Sequence, residues 1–250
     1  MSITVNPDGS FSINGYCSVC ASQTLFQAAN DWFRDQLICT NCGSVPRERA
    51  LAMAIEKWFP AWRESAIHES SPSERFLTRK FKTECAGYIA SQFYPEIPTG
   101  TDHMGFKCED LRNLSFEDES IDLHITQDVI EHVFENEKVF LEIARTLKPG
   151  GAHIFTVPLV NGSRKSEVAA SLDSDGKLIH HHEPEYHGNP VADEGALVTM
   201  KWGFDIVDKI SAASGMHSII VDYHSPYFGI LGEYHHVIIS IKPSEPAMDN

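Results

Sequence analysis

No run of about eighteen apolar residues occurs in the 250-residue chain, so no membrane-crossing helix is expected. The opening residues, MSITVNPDGS, lack the basic start and apolar stretch of a secretory leader, which points to the cytoplasm. Basic residues are scarce. Twenty Lys and Arg stand against 35 Asp and Glu, a formal net charge of −15 that repels phosphate backbones and disfavours nucleic acid as a partner. Cysteine is also sparse, at six residues, and a reducing cytosol argues against a disulfide framework. What is present is ordinary for a globular protein: 42% hydrophobic residues, in a length that holds one sizeable domain with or without a small appendage.

Four of the six cysteines form two C-x-x-C pairs, Cys17 with Cys20 and Cys39 with Cys42, separated by eighteen residues. Two such knuckles can present four thiolates tetrahedrally to one structural Zn²⁺. Residues 11 to 45 alternate short extended pieces with turns, as a zinc ribbon does. A module of residues 1–45 is too small to bury enough apolar surface alone, so metal binding would supply much of its folding free energy. Cys85 and Cys108 lie among apolar residues and read as small buried hydrophobes. The segment PRERALAMAIEKW, Pro46 to Trp58, opens with a proline suited to a first helical turn. It repeats apolar residues at Leu51, Ala54, Ile55 and Trp58, predicting a connecting helix within 46–64.

From Ser65 the pattern becomes strands alternating with helices. SAIHES, AGYIASQF, FKCED, IDLHITQDV and AHIFTVP read as strands, and SERFLTRKFKT as a helix. Glu135 to Leu147 carries Val139, Ile143 and Leu147 on one stripe, and Lys148 to Gly151 stop it. After a polar stretch from Val160 to Met200, GFDIVDKISAASG reads as a helix, and HSIIVDYH and YHHVIISIK as strands. This rhythm predicts an α/β domain over 65–242, with a mostly parallel sheet and a frayed tail at 243–250.

In such a sheet, ligands bind beyond the carboxyl ends of the strands, near the reversal of strand order. The runs CEDLRNLSFEDESIDLHITQDVIEHV and FLEIARTLKPGGAHIFTVP resemble the class I S-adenosylmethionine-dependent methyltransferases, in particular their type 11 group. The shared features are an Asp-Leu pair, the S-F-E-D-x-S-I-D approach to a strand, the E-H after it, and L-K-P-G-G before the next. The likeness covers roughly 65–242 and is densest from Cys108 to Pro158. It implies a Rossmann-like seven-stranded sheet with an antiparallel last strand, S-adenosylmethionine as cofactor, and a small-molecule acceptor such as a sugar, natural-product intermediate or other metabolite.

The resemblance also assigns places to residues. The family's first loop carries an acidic residue followed by glycines; in AIHESSPSERFL, Glu69 takes the acidic place. Ser70 adjoins it, and Ser71 and Ser73 fall where glycines are usual, with Pro72 between. Serine adds a Cβ that restricts positive φ, but its hydroxyl can hydrogen-bond a carboxylate, and Ser73 is placed to cap the following helix. Ser91 or Gln92 stands where the family uses an acid to hold the ribose diol. Asp110 and Leu111 match the adenine-binding pair, and Gln127 lines the methionine end. Glu131 and His132 follow as motif residues.

The region 159–200 would supply the acceptor side. Its segment LIHHHEPEYHGNP holds His180, His181, His182, Glu183, Glu185, Tyr186 and His187, with Tyr186 and His187 foremost and His182 and His132 beside them as candidate bases. Gly188 and Pro190 would fix the loop's path. Consecutive histidines on an extended strand point to opposite sides, which argues against a tight metal site among them. Two alternatives stay open: a non-catalytic scaffold with a degenerate cofactor loop, and an RNA methyltransferase using Arg47, Arg49 and RFLTRKFK. The zinc module offers a surface for a partner chain or a second copy.

Overall fold

A computed structural model describes residues 3–73, 75–188 and 194–244. Pro190 and residues 245–250 of the expected tail lie outside the described residues.

The main sheet has eight strands in the order His217–Val221, Val237–Ile241, Leu147–Thr156, Ile121–Gln127, Ile67–Ser70, Tyr88–Gln92, Phe106–Cys108 and Asp102–His103. Leu147–Thr156, Ile121–Gln127, Ile67–Ser70, Tyr88–Gln92 and Phe106–Cys108 pair in parallel. Val237–Ile241 is antiparallel to both its neighbours, as expected for the last strand. Seven strands match the expected fold. The eighth, Asp102–His103, is a two-residue edge piece too short to carry a period in the sequence.

The central strands are buried on both faces, which their apolar runs anticipate. Ile67, Leu123, Ile125, Ala152 and Ile239 face one core; Ile121, Phe155 and Ile238 face the other. The second core is closed by the helices Asn136–Thr146 and Ile206–Ser214, whose Val139, Phe140, Ile143, Ile206 and Ile210 are buried. Gly215 ends the latter helix in the left-handed conformation at φ 72°, where glycine pays no Cβ penalty.

The first core draws on the N-terminal module. Phe11–Cys17, Ser22–Ala28 and Ile38–Cys39 form an antiparallel sheet with Thr4–Val5 at its edge. Ile13, Phe26 and Leu37 from this module share one buried cluster with Leu51 and Ile55 of the helix Pro46–Trp58 and with the main-sheet residues. That helix starts where the sequence places it, and Glu48 accepts the Val45 N–H at 3.0 Å across its first turn. Packing against the sheet therefore supports the module in addition to any metal. Gly15 is required at this contact, because a Cβ there would collide with the Tyr227 carbonyl.

The region 159–200 departs from the expectation of a polar loop. Three short antiparallel pairs organise it: Glu167–Val168 with Met200–Lys201, Ala170–Leu172 with Leu178–His180, and Tyr186–His187 with Ala196–Leu197. Ladders of two or three residues are too brief for alternation to register in a sequence. Among the described residues, no helix is long and apolar enough to cross a membrane.

Candidate functional site

Ile67–Ser70 lies between Tyr88–Gln92 and Ile121–Gln127, at the point where strand order reverses. Immediately after it, Ser71 adopts φ 54°, and Asp128, after Ile121–Gln127, adopts the same value. The left-handed conformation costs a non-glycine residue about 1–2 kcal/mol, so the chain holds glycine-type bends with ordinary side chains at adjacent strand ends. The Ser71 N–H donates to the Ser91 carbonyl at 2.8 Å. Ser70 and Pro72 are buried, whereas Ser73 is exposed. The helix begins at Phe76, with extended Arg75 as its cap residue and no side-chain cap bond. This corrects the expectation that Ser73 caps it: Ser73 sits two residues before the cap, beyond reach of the first free N–H groups.

The side chains around this bend are largely engaged with one another. Glu69 is fully buried and accepts from Thr78 Oγ1 at 3.0 Å, Tyr88 OH at 2.6 Å and Gln127 Nε2 at 2.8 Å. Burial raises its carboxyl above the usual range despite these donors. The Ser91 hydroxyl is bonded to His68 Nε2 at 2.7 Å. The Gln92 amide reaches the Pro72 carbonyl at 3.4 Å. Asp110 binds Arg112 through Nε at 3.0 Å and a terminal nitrogen at 2.6 Å. Burial works to raise Asp110, but the Arg112 hydrogen bonds prevail and hold it low. Leu111 is packed into the second core.

On the acceptor side, the structure brings together residues far apart in the chain. Glu131 and His132 sit on a single 3₁₀ turn, Ile130–His132, and the His132 and His187 rings meet edge-on with centroids 4.9 Å apart. His132 Nδ1 lies 2.9 Å from the Leu197 carbonyl and donates to it. Burial holds the His132 ring below its ordinary value, so it is neutral at neutral pH. Glu131 is 2% exposed, and neither carboxylate oxygen has a hydrogen-bond partner among the described residues. Burial first, then the charge of Asp128, pushes Glu131 well above the usual carboxylate range. Tyr186 is exposed, and His182 faces Glu167 at 3.7 Å, away from this group.

Asp128 itself is clamped by residues that sequence patterning does not link to it. Arg34 reaches it at 2.6 Å, Arg47 Nε at 3.2 Å, and Thr156 Oγ1 donates at 2.9 Å. Arg47 also pairs with Asp35. No local motif links these positions, because the contacts span separate elements.

The four cysteines of the N-terminal module converge. Cys17 and Cys42 sulfurs are 3.7 Å apart, those of Cys20 and Cys39 are 3.9 Å apart, and all four lie within 4.8 Å of one another. A tetrahedron with Zn–S bonds of about 2.3 Å has edges of about 3.8 Å, so the arrangement fits that ion. Arg49, fully buried beside them, donates to the carbonyls of Ser44, Leu37 and Gly229. Burial pulls its guanidinium down to about 10 while the cysteines oppose the shift, as a cation set against thiolates should. Gly43 at φ 75° lets this knuckle lie against Phe76, whose ring would be 2.9 Å from a Cβ.

A family model described as a methyltransferase domain matches residues 88–155. The matched stretch begins after the Ser71 bend and runs from Tyr88–Gln92 into Leu147–Thr156. No curated protein matches the chain. Among solved structures, a putative S-adenosylmethionine-dependent methyltransferase from Listeria monocytogenes is similar at 11% identity and TM-score 0.48, covering 78% of this chain and 99% of that one. The 1,6-didemethyltoxoflavin-N1-methyltransferase of Burkholderia thailandensis is similar at 12% identity and TM-score 0.48, covering 80% and 79%. An S-adenosylmethionine-dependent methyltransferase from Mesorhizobium loti is similar at 14% and 0.45, covering 76% and 99%.

Proposed function

We propose that the chain binds S-adenosylmethionine over the carboxyl ends of Ile67–Ser70, Tyr88–Gln92 and Ile121–Gln127, and transfers its methyl group to a small-molecule acceptor. One observation carries this reading. Two left-handed non-glycine bends, at Ser71 and Asp128, flank the reversal of strand order in a sheet whose next stretch matches a methyltransferase domain. Ser71 and Ser73 would meet the amino-acid end of the cofactor, Asp110 and Leu111 its adenine, and Gln127 the approach to the sulfonium. Methyl transfer is an in-line displacement that needs alignment of nucleophile, carbon and sulfur, with a base only for an acceptor that loses a proton. His132, neutral and with Nε2 free of the Leu197 bond, suits that base, with His187 beside it. The four cysteines would hold one Zn²⁺ as a structural ion.

A second reading, a partner-binding scaffold, is favoured by the internal engagement of Glu69, Asp110 and Ser91. An RNA substrate has less support: Arg49 is buried and Arg47 is committed to Asp35 and Asp128, which removes both from any basic surface. Calorimetric titration of the full chain with S-adenosylmethionine and its demethylated product separates the first two. Micromolar affinity supports the enzyme, and no binding at millimolar ligand leaves the scaffold.

A further inference from the structure

Glu131 poses the sharpest chemical question in the molecule. A buried carboxylate is stable only if it is protonated or meets a cation. Its cationic neighbours, Arg34 and Arg47, are spent on Asp128, and both Glu131 oxygens lack hydrogen-bond partners among the described residues. Asp128 cannot take over the role of a free ligand, since Arg34, Arg47 and Thr156 already occupy its oxygens.

Two imidazoles face the same point. Because His132 Nδ1 donates to the Leu197 carbonyl, the neutral ring carries its lone pair on Nε2, which lies 3.7 Å from Glu131 Oε1. A hydrogen bond from the remote ring nitrogen to a carbonyl is the usual support of a metal-bound histidine. His187 enters from the adjoining strand pair, Tyr186–His187 with Ala196–Leu197, so the pair that supplies Leu197 also supplies the second ring. Its Nε2 stands 3.3 Å from Glu185 Oε1. The nearest ligand atoms of Glu131, His132 and His187 lie within 4.8 Å of one another, and bonds of about 2.0–2.2 Å would draw them closer by roughly 1 Å.

We propose that Glu131, His132 and His187 form a binding site for one divalent first-row transition-metal cation, separate from the four-cysteine cluster. Two nitrogens and one carboxylate leave coordination positions open to water or an acceptor oxygen, unlike a closed four-thiolate site. The site goes beyond the methyl-transfer reading and stands without it; with a cation held there, the His132 Nε2 lone pair would be a ligand, and the role of base would pass to metal-bound water.

Co²⁺ tests it, because its visible spectrum distinguishes nitrogen and oxygen ligands from thiolates. Titration of the full chain should show one Co²⁺ without thiolate charge-transfer absorption, in addition to any cobalt taken by the cysteines. Glu131→Gln keeps the shape and removes only the charge, while His187→Ala lies on a partly exposed hairpin. Each should weaken thiolate-free binding at least about tenfold while circular dichroism stays unchanged. Cobalt should also raise the melting temperature of the wild type more than that of Glu131→Gln. Thiolate-free binding that is absent from the wild type, or equally tight in both variants, overturns the proposal.

Discussion

Arg34, in the short helix Phe33–Gln36, places a guanidinium nitrogen 2.6 Å from Asp128 at the end of a central strand, across 94 residues of sequence. Both side chains are largely buried, at 8% and 16% exposure, so neither charge is solvated if the other is removed. Burial works against each charge, yet the pair prevails: Asp128 is held below the usual carboxylate range, chiefly by Arg34 and Arg47. Arg34→Ala should therefore cost about 1.5–3 kcal/mol in urea denaturation, because it removes a charged hydrogen bond and leaves the buried carboxylate to Arg47 and Thr156. Asp128→Asn on that background should recover part of the loss. Additive losses in the double-mutant cycle would refute the coupling.

Cys39→Ser should remove zinc as read by mass spectrometry and lower the melting temperature, since one of four converging sulfurs is lost. The module shares its core with the main sheet through Ile13 and Phe26, so the loss should reach beyond the first 45 residues. Hydrogen exchange along Ile67–Ser70 should rise with exchange in the module. A metal-free wild type with the same melting behaviour would dispose of the structural ion.

Local signals account for what the sequence made legible. Proline at position 46 and apolar spacing define the helix to Trp58. Lys148 to Gly151 do end the preceding helix, at Thr146, but they run as an irregular first half of the strand Leu147–Thr156 and not as a separate turn. The C-x-x-C spacing identifies four residues that do converge. The Arg34–Asp128 clamp left no trace, since no period links a four-residue helix to a strand end. His132, Glu131 and His187 each drew attention separately, but their convergence depends on the Tyr186–His187 ladder, which has only two residues per strand. Ser73 does not cap the helix, which starts at Phe76 with Arg75 in the cap position, two residues further along. What was invisible was long-range pairing and register, which single residues do not encode.

Ser71 offers a direct measure of strain at the bend. Relief of the left-handed penalty by Ser71→Gly is worth about 1–2 kcal/mol, and the freer unfolded chain takes back about 0.4–1 kcal/mol. The variant should thus be more stable by roughly 0.5–1 kcal/mol, and Ser71→Val less stable, in chemical denaturation. A destabilised glycine variant would mean that the serine side chain, not the backbone angle, governs this position.

Asp110→Ala should weaken S-adenosylmethionine binding by about tenfold, the loss of one charge-assisted hydrogen bond, with a small change in melting temperature. Arg112→Ala should strengthen binding, because Arg112 holds both Asp110 oxygens. Equal affinity in all three proteins would take Asp110 out of the cofactor site.

A row of histidines makes the fold sensitive to acid. His68 and His124 are register partners, as are His124 and His153, and all three are buried in the parallel sheet. Burial pulls His153 down to about 3, as it does His68, and lowers His124 well below its ordinary value. An unfolded histidine titrates near 6.5, so between about 6.5 and 3 the unfolded chain binds a proton that folded His153 does not. Stability is thus complete above that window and lost as pH falls through it, at up to about 1.4 kcal/mol per pH unit for each ring. The raised carboxyls of Glu69 and Glu131 act in the opposite sense, but a comparison of wild type with His153→Gln cancels them. Relative to wild type, His153→Gln should gain about 2 kcal/mol between pH 7 and 5. Parallel stability curves for the two proteins would show that His153 titrates normally in the fold.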